Sequence, residues 1–244
     1  MPSMIAMLSF VPVMVIFAFS VQWGSVASIH SSAERLPECR MAYIGYSFLM
    51  TVFAWLLYFM YATRIPLGFL LPLGASFALA GDFYYLQFEL ARHTMRSESL
   101  LGGILFFILT QIAYAAAFLA RVPFGTLVRS GAFIPALAFF VAVFAALFAL
   151  RVWNAERPRW LMVASAAYSL ALAFMVSVAV SAAIAVGGPW RLIALGAVSF
   201  AVSDYLQGET TVHGRHPAYE FQVPWLTYLI AQALILYGFA LSLP

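Results

Sequence analysis

Asp82 and Asp204 are the only aspartates in the chain, and each stands in a stretch otherwise apolar enough to lie in lipid. Asp204 closes G-A-V-S-F-A-V-S-D-Y (196–205), and Asp82 sits within S-F-A-L-A-G-D-F-Y-Y-L (76–86). An ionised carboxylate near hydrocarbon costs several kcal/mol unless it is paired or neutralised, so an acid in such a place is a candidate for chemistry. Two carboxyls in one poorly hydrated site split their titrations, and a neutral proton donor can then coexist with an ionised partner near neutral pH. The chemistry to expect is general acid catalysis beside a fixed negative charge.

The elements that must position these acids are membrane helices. Of 244 residues 65% are hydrophobic and 9% charged, against about 25% charged in an ordinary soluble domain. The apolar runs are long and lack period-two alternation, which excludes a membrane barrel and predicts an all-α, polytopic bundle forming one integral membrane domain over 1–244. Eight spans are predicted, over 4–24, 41–62, 66–88, 100–120, 131–153, 160–186, 190–206 and 221–243. The first lacks the basic segment of a signal peptide and is read as a helix. Pro66 is read as part of the third helix's first turn, where its missing N–H does no harm. The stretches 25–40, 89–99 and 207–220 read as polar loops, 121–130 as a short connection, and Gly187, Gly188 and Pro189 as the end of the sixth helix.

All twelve basic residues are arginine, eight in the odd-numbered loops and four on the opposite side, which places the odd loops in the cytoplasm and the termini outside. The expected location is a plasma or inner membrane. The net charge of +3 needs no nucleic-acid partner. Trp23, Trp153, Trp160, Trp190 and Trp225 fall at predicted span ends, where interfacial tryptophans belong.

The third and seventh predicted helices run in one direction and carry their aspartates toward their C-terminal ends, so both acids approach the odd-loop face. Gln111 and Tyr114 of the fourth helix, and Tyr228 and Gln232 of the eighth, lie in the same half of the bilayer. Ser76-Phe77-Ala78 and Ser199-Phe200-Ala201 each precede an Asp, and each Asp-bearing helix is followed by a Gln-bearing one, the pattern of a four-plus-four duplication. Taken singly, a buried glutamine or tyrosine in a membrane helix is as well read as an interhelical hydrogen bond of about 0.6–2 kcal/mol or as packing. For Asp204, close to a loop, the plain alternative is a solvated helix end. Its recurrence as Asp82 favours function.

His213 and His216 are spaced to share a metal on a helix but sit beside Gly214 and Pro217 with no third ligand nearby, so no metal or cofactor is predicted. There is no phosphate loop and no Gly-x-Ser-x-Gly elbow, and the single cysteine, Cys39, has no evident partner. Serine or cysteine nucleophile chemistry is unsupported.

An ordered set of residues carries a resemblance: Gly81-Asp82; Gly103 to Phe106, Gln111 and Tyr114; Tyr168 and Met175; Gly196-Ala197, Phe200 and Ser203-Asp204; Thr227-Tyr228 and Ala231-Gln232. With these the chain resembles the YhhN-like lysoplasmalogenase family from its third helix onward. The resemblance implies an integral membrane hydrolase of about eight helices that cleaves the vinyl ether bond of lysoplasmalogens, giving a fatty aldehyde and a glycerophospho-alcohol. It implies a single-chain lysophospholipid drawn from the bilayer as substrate, and no cofactor. Asp82 and Asp204 would be catalytic, one as proton donor and the other steadying the cation. Gln111, Tyr114, Ser203, Tyr228 and Gln232 would position substrate or water. The chain departs from the family pattern at Gln111, which stands where His is usual, and a glutamine transfers no proton. The same acids also fit a proton- or cation-coupled transporter, which helices broken at the bilayer midplane would mark, or a lipid-binding membrane protein without turnover.

Overall fold

The computed structural model describes residues 36–62, 67–90, 98–215 and 222–243. Every regular element among them is helical: α1 Leu36–Leu57, α2 Leu70–Leu90, α3 Glu98–Arg121, the short α4 Phe124–Arg129, α5 Phe133–Leu147, α6 Arg159–Val186, α7 Trp190–Gly208 and α8 Gln222–Leu241. The predicted span 4–24 and Pro66 itself lie outside the described residues, but α2 begins only at Leu70, after a turn at 67–69 in which Leu67 takes φ 58°, so the predicted start at residue 66 is four residues early. Three helices end in a wider π-helical turn, α1 through Tyr58–Ala62, α5 through Phe148–Val152 and α7 through Glu209–His213. The all-α bundle is as expected, with local corrections: α1 begins at Leu36 and so takes in the last five residues of the stretch 25–40 read as a loop. The connection 121–130 contains α4, and the stretch read as a loop from Gln207 continues the helix to His213.

The helices pair as α2 with α3 and α7 with α8, while α6 packs on α3, α5 and α7, and α1 touches α2 and α8. Glycines set the closest approaches. A Cβ on Gly74 of α2 would lie 2.6 Å from the Tyr114 ring of α3, and one on Gly196 of α7 would lie 2.9 Å from the Ala231 carbonyl oxygen of α8. In lipid, where apolar surfaces gain little by leaving the solvent, such backbone approach supplies the packing that joins helices. Threonine and tyrosine hydroxyls add cross-links: Thr51 donates to the Ala75 carbonyl at 3.0 Å and Tyr46 to that of Leu229 at 2.9 Å.

Among the described residues four helices are long and apolar enough to cross a membrane: 100–121, 133–152, 159–186 and 223–241. The outer one, α5, leaves Ile134 and Phe139 largely exposed, as a helix facing acyl chains can. At 28 residues α6 is about 42 Å long, more than a bilayer core needs. It stops where Gly187 and Gly188 take positive φ (73° and 56°), a conformation open to glycine. Of the predicted interfacial tryptophans, Trp153 and Trp160 are exposed, but Trp190 is buried edge-on against Phe118. Its position at a helix start is covered by α3, which composition does not reveal.

Candidate functional site

α2 and α7 run unbroken past their aspartates, and Asp82 and Asp204 line one cavity of about 100 Å³, room for several waters. Its wall comes from the C-terminal parts of α2 and α7 and the N-terminal parts of α3, α6 and α8, which is the odd-loop end of the bundle. Both acids therefore reach the same end.

Asp82 is buried and doubly held. Its Oδ2 accepts the Tyr228 hydroxyl of α8 at 2.8 Å and the Ser47 hydroxyl of α1. Behind Tyr228 the chain of bonds continues outward from the cavity: Gln232 Nε2 donates to Tyr228 Oη at 3.2 Å, and Tyr114 donates to Gln232 Oε1 at 2.6 Å. Asp204 is only partly covered, and its Oδ2 accepts the Tyr168 hydroxyl of α6. Tyr168 in turn receives Gln111 Nε2 at 3.2 Å. Gln111 Oε1 is buried without a partner.

Phe107 of α3 stands between the two networks. Its ring centroid is 6.5 Å from that of Tyr168 and 6.4 Å from that of Tyr228, and it also meets Phe200 at 6.4 Å. It fits there because Gly81, the residue before Asp82, has no side chain: a Cβ would come within 2.9 Å of the Phe107 ring. Trp225 completes this aromatic wall, edge-on to Tyr228 at 5.8 Å.

Of the residues expected to support the acids, Tyr228 lines the cavity and touches Asp82. Gln111, Tyr114 and Gln232 lie behind the wall and reach the acids only through Tyr168 and Tyr228. Ser203 borders the cavity, but its hydroxyl donates to the Pro224 carbonyl at 2.7 Å, which ties α7 to α8. Ser47 and Tyr168 were not singled out as site residues from sequence, although Tyr168 is part of the resemblance. Ser165 is a further addition: the residue lines the cavity, and its hydroxyl is buried without a partner.

At the odd-loop end the two π-helical turns face each other. Val152 lies against Gly208, where an added Cβ would stand 3.0 Å from it. Glu209 is buried, and its Oε1 accepts Arg151 at 2.9 Å with Arg215 at 3.7 Å. The amides of Gly214 and Arg215 both donate to the Glu209 carbonyl, at 3.1 and 3.0 Å. These bonds hold a polar stretch in helical form. His213 Nδ1 is 2.7 Å from the Trp153 carbonyl, and His216 lies outside the described residues. Among the described residues no group of three His, Cys, Asp or Glu side chains could hold a metal.

A family model, the YhhN family, matches residues 44–239, about four fifths of the chain. No curated protein and no solved structure matches the chain.

Proposed function

The chain belongs to the YhhN family of membrane proteins, and from that premise we propose that it is an ether hydrolase cleaving the vinyl ether bond of lysoplasmalogen-type lysophospholipids. The observation that carries the reading is the pair of aspartates on one cavity wall, each bound by a tyrosine hydroxyl from another helix.

Cleavage of a vinyl ether begins when an acid delivers a proton to the alkene carbon distal to oxygen. The adjacent carbon becomes an oxocarbenium ion, water adds to it with loss of a proton, and the resulting hemiacetal collapses to an aldehyde and the glycerophospho-alcohol. Asp204 is assigned as proton donor. It is the less covered acid and accepts one hydroxyl. Gln111 Nε2 donates to Tyr168 and Tyr168 donates to Asp204 Oδ2, so the proton to be delivered is carried on Oδ1. Asp82 is assigned as the anion, because one of its oxygens already accepts two O–H donors. Its charge and the rings of Phe107, Tyr228 and Trp225 favour a cation forming between them.

The transporter alternative calls for helices interrupted where the acids stand, and α2 and α7 are continuous there. The test is aldehyde release from a 1-alkenyl lysophospholipid by purified protein in detergent, in D₂O, with the aldehyde reduced at once. The expected product carries one solvent deuterium on the carbon next to the carbonyl, and both Asp82→Asn and Asp204→Asn lose about 10²–10⁴ in kcat. Absence of aldehyde from the unaltered protein, or full release by both variants, removes the reading.

A further inference from the structure

We propose that Arg151 and Arg215, paired with Glu209, and Arg157, held on the Val212 carbonyl of the same π-helical turn, form the subsite for the phosphate of the lipid. This rests on the hydrolase reading and adds to it how the head group is held.

Arginines at one membrane face follow from topology alone, but these three are folded back onto the helix that carries Asp204. Arg151 and Arg215 share Oε1 of the buried Glu209. Arg157 Nε donates to the Val212 carbonyl at 3.0 Å, and a Cβ on Gly214 would stand 3.2 Å from its guanidinium, so Gly214, at φ 90°, makes room for it. Arg151 and Arg215 meet one carboxylate, a formal surplus of one positive charge, and Arg157 brings a further cation to the same turn. A structural clamp on Glu209 needs one of them. The surplus calls for an anion, and guanidinium groups match phosphate in shape and charge.

The position fits the substrate's dimensions. Glu209 lies five residues past Asp204, about 7.5 Å of helical rise, comparable with the glycerol unit that separates an ether oxygen on one end carbon from phosphate on the other. Gly208, Thr211 and Val212, from the same turn as Glu209, and Val152, next to Arg151, line the cavity. A lipid with its vinyl ether at Asp204 thus has its phosphate directed to the arginines.

The experiment compares 1-alkenyl-glycerophosphocholine with 1-alkenylglycerol, which lacks the phosphate, as substrates in neutral detergent. For Arg215→Gln the ratio of kcat/KM between the two substrates is expected to fall about tenfold through KM of the phospholipid, and further for Arg215→Glu. Arg191→Gln, an exposed arginine at the other end of α7, is expected to keep the ratio of the unaltered protein. A ratio unchanged in both Arg215 variants, or lowered equally by Arg191→Gln, overturns the proposal. Adding phosphatidylglycerol separates a bystander lipid from substrate. If it alters turnover of 1-alkenylglycerol by the unaltered protein and not by Arg215→Gln, the arginines serve bulk lipid and the proposal fails. Turnover of neither substrate by the unaltered protein overturns the hydrolase reading as well.

Discussion

Tyr168 bonds Asp204 from 36 residues earlier in the chain, as Ser47 bonds Asp82 from 35. The equivalence extends to the packing. Gly74 admits Tyr114, three residues past Gln111, and Gly196 admits Ile235, three residues past Gln232. The two halves therefore place an acid, a hydroxyl donor, a glutamine and a close-contact glycine in corresponding positions, which gives the suspected duplication a geometric basis. They differ in what each acid receives among the described residues: Asp82 has two hydroxyls and Asp204 one.

That difference predicts opposite pH limbs. If Asp82 must be ionised and Asp204 protonated, kcat/KM falls at low pH as Asp82 takes up a proton and at high pH as Asp204 loses one. In Asp82→Asn the residual activity is expected to keep only the high-pH fall, and in Asp204→Asn only the low-pH fall. The pH–rate profiles of the two variants check this, and exchanged limbs would reverse the assignment of donor and anion.

Gln111 predicts a separation of stability from activity. Its Oε1 is buried without a partner, at a desolvation cost of about 1–3 kcal/mol, while its Nε2 orients Tyr168. Gln111→Met removes both groups at similar volume. Thermal unfolding in detergent is expected to move little or upward, and kcat to fall about tenfold because Tyr168 loses its donor. A variant that is destabilised yet fully active would contradict the positioning role.

The acids were legible in the sequence because a carboxylate in an apolar run stands out by transfer free energy alone. Ser47 and Tyr168 were not, since serine and tyrosine are common in this chain and nothing in their surroundings marks them until α1 and α6 are placed beside α2 and α7. The helix over Glu209–His213 was hidden for the converse reason. Glu209, Thr210 and Thr211 read as solvated loop, yet Arg151 pairs the carboxylate and the Gln207 carbonyl accepts both threonine hydroxyls, at 2.8 Å each. Composition registers the cost of burying a polar group and is blind to the partner that offsets it.

The duplicated glycine contact gives a stability prediction with an internal control. At Gly196 an added methyl meets the Ala231 carbonyl oxygen at 2.9 Å, and backbone cannot turn aside as a side chain can. Gly196→Ala is expected to cost about 1–3 kcal/mol through overpacking. Gly45 on α1 has nothing within 4 Å of the same methyl, so Gly45→Ala is expected to be neutral or to stabilise by up to about 1 kcal/mol through helix propensity. Thermal unfolding of the two variants in one detergent decides the matter; equal shifts would mean that the α7–α8 approach is not set by this glycine.

Glu209 gives the last prediction, because its carboxylate is buried while Arg151 is half exposed. Removing the arginine alone leaves a covered charge with only the longer 3.7 Å contact to Arg215, whereas removing both partners leaves no charge to strand. Breaking a fully buried pair from one side costs about 3–5 kcal/mol, and an exposed pair is worth about 0–1 kcal/mol, so Arg151→Met belongs between them at about 1–3 kcal/mol. Arg151→Met with Glu209→Met is expected to recover part of that loss, since two apolar side chains of similar bulk satisfy each other. The double-mutant cycle, read from thermal unfolding in detergent, is expected to show strongly non-additive single effects. Additive effects would mean that Arg151 does not neutralise Glu209, and that the π-helical end of α7 is held by its backbone and threonine bonds alone.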